Sequence, residues 1–267
     1  MTMTALTPVV SVEELRRAYL ALAAGEFTTS RRRARPTAAP GPLPAWHPAP
    51  GERLIMVLGA LPAAGTSTVA LALATVAGDS RVVECCTVAA SGLAGASQAE
   101  LGVTADGWAQ GRRERVLIER RADRVQGAEE MPVPTSTAKP VTVLDCACEV
   151  DLLLAGRGWL AETARATNPV VVTTRPTLPG LRRLESAIHL LGVDRVHAVL
   201  GGATRHWTRT VTPLLGPAGR QLLTAGRLTA MPFDAALSLH GVTTNELPAP
   251  VLSAAATLLS RLEGPLS

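Results

Sequence analysis

The sequence predicts an α/β domain, a mainly parallel sheet with helices on both faces, preceded by a short helix and a Pro-rich linker. Three observations carry this expectation. Apolar, β-branched runs alternate with helical segments from Arg53 onward, the pattern of right-handed βαβ units. The first run, Leu54 to Leu58, breaks at Gly59 into a turn of small residues and then a helix that starts on hydroxyls. Residues 28–52 hold Pro36, Pro40, Pro42, Pro44, Pro48 and Pro50 with a run of arginines, a composition too poor in apolar groups to order itself. At 267 residues the chain has room for one large domain with appendages. The expected boundaries are 1–27 for the helix, 28–52 for the linker and 53–267 for the domain.

Taken in order, residues 11–24 read as a helix. Ser11 and Glu14 form a capping box, and Val12, Leu15, Tyr19 and Leu22 recur at helical spacing. Strands are expected at Leu54 to Leu58, Arg81 to Cys86, Val141 to Asp145, Val170 to Thr173, Arg195 to Leu200 and Arg227 to Met231. Val116 to Glu119 reads either as a strand or as part of a helix. Helices are expected over Ser67 to Ala77, Gly156 to Thr167, Gly180 to Leu191, Thr208 to Ala225 with a break near Pro217, and Val251 to Leu262. Residues 87–111, rich in Ala, Ser and Gly, suggest a loop with a short helix around Gln98 to Leu101, and Gly127 to Lys139 a polar loop.

The turn after the first strand carries the chemistry. Strand, flexible turn and helix start together aim backbone N–H groups and a helix N-terminus at a phosphate. Counted against G-x-x-x-x-G-K-[ST], Gly65 is the second glycine, Ser67 the hydroxyl, Thr66 stands where lysine belongs, and Ala60 replaces the first glycine just after Gly59. The alternative is an ordinary tight turn in which Gly59 and Gly65 only relieve sterics. If the loop binds phosphate, Gly59, Ala63, Ala64, Gly65, Thr66, Ser67 and Thr68 are the binding set. Phosphoryl transfer depends on cations at the transferring group, so a loop without lysine binds better than it hydrolyses. The chain has one lysine, Lys139. Arg175 or Arg205 is a substitute only if folding brings it to the loop.

Composition excludes several classes. No apolar stretch of about 18 residues is free of charges and breakers, so no membrane span is expected. The N-terminus lacks the basic and apolar regions of a signal peptide, and a cytoplasmic protein is expected. Cys85, Cys86, Cys146 and Cys148 fit no zinc spacing and read as reduced, buried thiols; on adjacent parallel strands all four would meet near one sheet edge. The five histidines are scattered and no nucleophile elbow is present. The net charge is +4, and Arg31 to Arg35 reads as a solvated linker run or, less often, a nucleic-acid or acidic-lipid contact.

The segment from about Arg53 to Leu262 resembles the MinD/ParA branch of the P-loop ATPases. Gly59 to Thr68 stands where that family carries K-G-G-x-G-K-[ST], with the signature lysine falling on Leu61 and the phosphate lysine on Thr66. The ending Gly65-Thr66-Ser67-Thr68 is most similar to the lysine-less loops of CpaE/TadZ-type relatives and of MinD-like proteins from actinobacterial mobile elements. Val143 to Cys146 resembles the family's strand ending in an acid, Val170 to Leu184 its next strand, Pro turn and helix, and Met231 to Asp234 its I-P-x-D segment. The resemblance implies ATP or ADP with magnesium as cofactor. Asp145 becomes the catalytic acid that reaches the metal through water, Ser67 a metal-side hydroxyl, and Pro232 a neighbour of the adenine. It further implies a homodimer around nucleotide, although Leu61 removes the charge contact across that interface, and Glu84 lies inside its strand as a poor match for the family's D-x-D acid. The implied function is a catalytically degenerate nucleotide-binding protein that positions or assembles a secretion, conjugation or plasmid-maintenance machine. The alternative is an adaptor that keeps the fold as a scaffold and docks a protein partner through Val12, Leu15, Tyr19 and Leu22. Nucleic-acid binding through Arg31 to Arg35, Arg182, Arg183, Arg205 and Arg209 is a weaker option.

Overall fold

Runs of Val, Ile and Leu bury both faces of an extended strand, and here they form the middle of one sheet. The computed structural model describes residues 12–23, 45–87, 90–123, 125, 127–135, 139–204 and 206–263. Ser11, the Arg31 to Arg35 run, Arg205 and the side chains of Val12, Leu15 and Leu22 lie outside the described residues. The chain divides into two units, residues 1–42 and 43–267. The first contains helix α1 (Val12–Ala23), within the span expected from its periodicity.

The second unit runs β1 (Arg53–Gly59), α2 (Thr66–Ala77), β2 (Ser80–Cys85), β3 (Ala99–Val103), β4 (Trp108–Arg113), β5 (Val116–Arg121), β6 (Val141–Cys146), α3 (Val150–Ala155) and α4 (Trp159–Ala166). It continues with β7 (Val170–Thr174), α5 (Leu178–Leu191), β8 (Val196–Ala203), α6 (Trp207–Val211), α7 (Pro217–Thr224), β9 (Leu228–Pro232), α8 (Ala235–His240) and α9 (Ala249–Glu263). The strand order is β3-β4-β5-β2-β6-β1-β7-β8-β9, antiparallel among β3, β4 and β5 and parallel elsewhere. On one face Val57, Val82, Val143 and Val171 pack against Leu71 and Leu73 of α2 and Val251 and Leu258 of α9. On the other, Met56, Leu58, Leu144 and Val172 pack against Leu153, Trp159, Leu181 and Leu222. This is the expected α/β architecture with both faces covered.

Residues 87–111 differ from expectation. In place of a short helix near Gln98 they form an antiparallel hairpin, β3 to β4, added outside β5. Trp108 decides the outcome: it is fully buried, and its indole N–H donates to Val133 O at 2.9 Å. The turn at Asp106-Gly107, with Gly107 at φ +78, is a hairpin signal available in the sequence. Val116 to Arg121 resolves as strand because β4 on one side and β2 on the other supply its ladder. Two short helices, α3 and α8, went unforeseen.

Chain just before β1 is packed on the domain. Trp46 meets Trp159 edge-on at 5.3 Å between ring centroids and lies 5.9 Å from the Arg81 guanidinium. Arg81, 1% exposed, donates through Nε to Thr142 Oγ1 at 2.7 Å, through Nη1 to Thr135 O at 2.7 Å and through Nη2 to Glu52 at 2.9 Å, and Glu119 lies 3.5 Å away. Burial alone would raise the Glu52 carboxyl, but bonds from the Thr142 hydroxyl and Ala49 amide, together with the Arg81 charge, carry it below its ordinary value. One guanidinium thus holds two buried acids.

Arg81→Ala should destabilise the domain by about 3–5 kcal/mol, because it leaves Glu52 and Glu119 buried without their cation. Urea unfolding would measure this, and a loss under about 1 kcal/mol would mean that water reaches both acids.

A second test concerns His197 on β8, which is buried, lies near Arg227 and Arg261, and is pushed by burial and those charges down to about 4. A base whose folded value is depressed binds its proton better when unfolded, so stability is complete above the unfolded value near 6.5 and falls as pH drops toward 4. The full loss is about 3 kcal/mol. His197→Leu should remove that part of the slope, as read by thermal unfolding at pH 4.5 and pH 7.5.

Candidate functional site

The turn after β1 is held by small residues at close approach. Ala60 N–H donates to Thr173 O on β7 at 2.9 Å. A Cβ on Gly59 would stand 2.8 Å from Thr66 Oγ1, and one on Gly201 of β8 would collide with the Ala64 carbonyl. Gly59 therefore relieves a close approach, whereas a Cβ at Gly65 would meet nothing within 4 Å. Ala63 and Gly65 take left-handed backbone, φ 57 and φ 88, a conformation that costs a non-glycine residue about 1 kcal/mol. Gly65 is the N-cap of α2 and no side chain caps the helix. The first amide to return into α2 is Val69 N–H, donating to Gly65 O at 2.9 Å. Among the described residues, the Ala63 to Thr68 amides have no protein acceptor.

Thr66 does not turn its hydroxyl to the cradle. Thr173 Oγ1 donates to Leu58 O at 3.2 Å, so the 2.8 Å bond between the two threonines has Thr66 as its donor. The residue in the lysine position pins the loop to β7.

Beneath the loop lies an uncompensated acid. The β2–β6 register sets Glu84 opposite Asp145, on one face of the sheet. Asp145 has no exposed surface, and neither carboxylate oxygen has a hydrogen-bond partner among the described residues. Burial first and Glu84 second push it up to about 7, with the Ser67 hydroxyl acting in the opposite sense. Glu84 is raised by burial although it accepts bonds from Ser91 Oγ (2.6 Å), Gly92 N–H (2.7 Å) and Leu93 N–H (2.9 Å). Those bonds fold the 91–93 turn onto Ser67, where a Cβ on Gly92 would collide with the serine side chain.

This donor set fits a divalent cation. Ser67 and Asp145 would hold it, and the cation would supply charge neutralisation at the phosphates. No group of three or more His, Cys, Asp or Glu among the described residues could hold a metal, so a cation on Ser67 and Asp145 would need water and phosphate for its other ligands, as magnesium accepts.

Above the loop opens a cleft of about 980 Å³. It is lined by all the loop residues from Gly59 to Thr68, by Arg175 and Gly202, and by Pro232 and Phe233 at the end of β9. That volume suits a nucleotide-sized ligand. The sequence-stated binding set Gly59, Ala63, Ala64, Gly65, Thr66, Ser67, Thr68 and Pro232 thus lies on one cleft, with Asp145 behind it. Sequence reasoning missed Gly201 and Gly202, whose paired glycines at a strand end signal close backbone approach, and the 91–93 turn, which carries no such signal. The four cysteines are free and gather at the C-terminal ends of the adjacent strands β2 and β6, Cys85 opposite Cys146.

No family model matches the chain, and no curated protein matches it by sequence. Solved structures do. The cell division ATPase MinD of Pyrococcus furiosus is 14% identical, with a TM-score of 0.50 over 79% of this chain and 99% of that one. A plasmid partition protein of Borrelia burgdorferi B31, bound to AMPPNP, is 12% identical with a TM-score of 0.51 over 78% and 97%. Apo McdA of Cyanthece is 10% identical with a TM-score of 0.52 over 80% and 100%. At such identities the likeness is one of architecture, and with the strand order and loop described above it gives this chain the MinD/ParA-type P-loop ATPase fold.

Proposed function

We propose that the chain is a catalytically degenerate MinD/ParA-like nucleotide-binding protein, taking ATP or ADP with magnesium and acting in the positioning or assembly of a secretion, conjugation or plasmid-maintenance machine. The observation that carries the reading is the loop: unpaired amides at the start of α2 above a buried, unpartnered Asp145. The amides bind the anion, Ser67 and Asp145 face the cation, and Pro232 and Phe233 border the space for the base. With Leu61 and Thr66 in the two lysine positions, hydrolysis is negligible and any homodimer around nucleotide is held by other contacts. A cytoplasmic setting accords with the lack, among the described residues, of a helix long and apolar enough to cross a membrane. A protein partner docks on α1, and the arginine run offers a secondary contact to nucleic acid.

Calorimetry with ATP and ADP, with and without magnesium, tests the reading. Binding is expected at Kd about 0.1–1 mM, since a missing charged contact costs about 1.5–3 kcal/mol. ATP turnover should stay at background. Gly65→Val should abolish binding in a domain that still folds. Nothing lies within 4 Å of a Cβ at Gly65, so the effect arises from φ +88, which a β-branched residue resists. No binding by the unaltered protein at millimolar nucleotide would favour the adaptor, which keeps the fold as a scaffold.

Asp145→Asn separates function from stability. Removing a buried, unpaired carboxylate should raise the stability of the nucleotide-free domain at pH 8 by about 1–3 kcal/mol. The same change should erase any magnesium dependence of nucleotide binding, and an equal magnesium effect in both proteins would take Asp145 out of the cation site.

A further inference from the structure

The cleft contains a free guanidinium. Arg175 is the first residue after β7, and it lines the cleft with the loop. Its backbone is fixed: Thr177 N–H donates to Arg175 O at 2.8 Å, and the Thr174 hydroxyl donates to Gly180 O at 2.8 Å. Its Nη1 lies against Gly202, 3.1 Å from where a Cβ would stand. The adjoining Gly201 carries the close contact to the Ala64 carbonyl, so guanidinium and loop rest on consecutive residues of one strand. The Arg175 guanidinium makes no hydrogen bond or ion pair with any described residue.

Neighbouring charges are already matched. Of the acids on the cleft, Glu149 lies 3.6 Å from Arg183, and Asp234 accepts from Leu237 N–H at 2.8 Å as the cap of α8. Lys139, the only lysine of the sequence, pairs with Asp79 at 2.8 Å beside the start of β2, at the opposite end of the strands. Among the described residues Arg175 is left as a cation without an anion, beside a loop without a lysine.

We propose that Arg175 supplies, from the end of β7, the positive charge that the loop lacks, and contacts the phosphates of a bound nucleoside polyphosphate. The assignment rests on the nucleotide reading above. A guanidinium offers several N–H donors in a plane and suits phosphate oxygens. It reaches them from the strand neighbouring β1, whereas a lysine would reach them from within the helix. The role is one of binding.

Calorimetry with magnesium tests it, using ATP, inorganic tripolyphosphate and adenosine as three probes on the unaltered protein, Arg175→Ala, Arg175→Lys and the exposed control Arg182→Ala. Arg175→Ala should weaken ATP and tripolyphosphate about 10- to 100-fold, the scale of one charge-assisted contact, and leave adenosine unchanged. Arg175→Lys should recover part of the loss, and Arg182→Ala should show none. Thermal unfolding of each variant identifies any loss due to misfolding. If the unaltered protein binds ATP, Gly65→Val abolishes that binding and Arg175→Ala does not weaken it, the Arg175 assignment is overturned while the nucleotide reading stands. If the unaltered protein binds neither ATP nor tripolyphosphate at millimolar concentration, both fall. An equal loss for all three probes would place Arg175 in the shape of the cleft and overturn its contact with phosphate.

Discussion

The site depends on the seating of β1 between β6 and β7. Parallel pairing on both sides sets Val57 level with Asp145 and Gly59 level with Thr173, so the turn leaves the sheet where two neighbouring strands also end. Open parallel sheets place ligand crevices at their carboxyl ends where neighbouring strands leave in different directions. Here β6 belongs to the half of the sheet reached through α2 and β2, and β7 begins the other half. Without that order Asp145, Ser67 and Arg175 would share no neighbourhood. Each comes from a different segment and owes its place to backbone ladders.

Within that frame the loop keeps its shape by sterics and two hydroxyls. Gly59 and Gly201 remove the Cβ atoms that would push the turn away from Thr66 and from β8. The Thr66–Thr173–Leu58 chain then ties the helix start to the strand ends. These contacts fix geometry and add no charge. The electrostatics of the site come from elsewhere: a helix N-terminus directed at the cleft, two buried carboxyls behind it, and a guanidinium across it. Glu84 gives three acceptor contacts to the 91–93 turn, whereas Asp145 has only the Ser67 hydroxyl acting on it.

Much of this was legible in the sequence, for identifiable reasons. The central strands β1, β6, β7 and β8 read clearly because strands buried on both faces are nearly continuous apolar runs, and the loop read clearly because its small residues interrupt one of them. The strands of the β3–β4 hairpin gave no clear alternation, so only its Asp106-Gly107 turn was legible, and its position rests on one buried tryptophan. Trp46 and Glu52 sit in Pro-rich sequence whose composition suggests an extended chain, and only the distant Trp159 and Arg81 reveal their packing. Asp145 was visible as an acid at a strand end. Its pairing with Glu84 was not, since register between strands 61 residues apart is invisible to local pattern. Arg175 was one of two candidate arginines, and topology alone brought it to the cleft.

The unfavourable features of this region share one location. Among the described residues Ala63 holds a left-handed backbone, the first amides of α2 lack acceptors, Asp145 lacks a cation, and Arg175 lacks an anion. The strained turn and the buried carboxylate are costs to the folded domain, while the amides and the guanidinium face the open cleft. A polyphosphate with a divalent cation would meet all four groups together. The anion would accept from the amides and the guanidinium, the cation would meet the carboxylate, and the turn would gain contacts that oppose its strain. Such complementarity in three independent groups is more than an incidental turn would need, because a turn that only joins β1 to α2 could be built without a buried acid behind it.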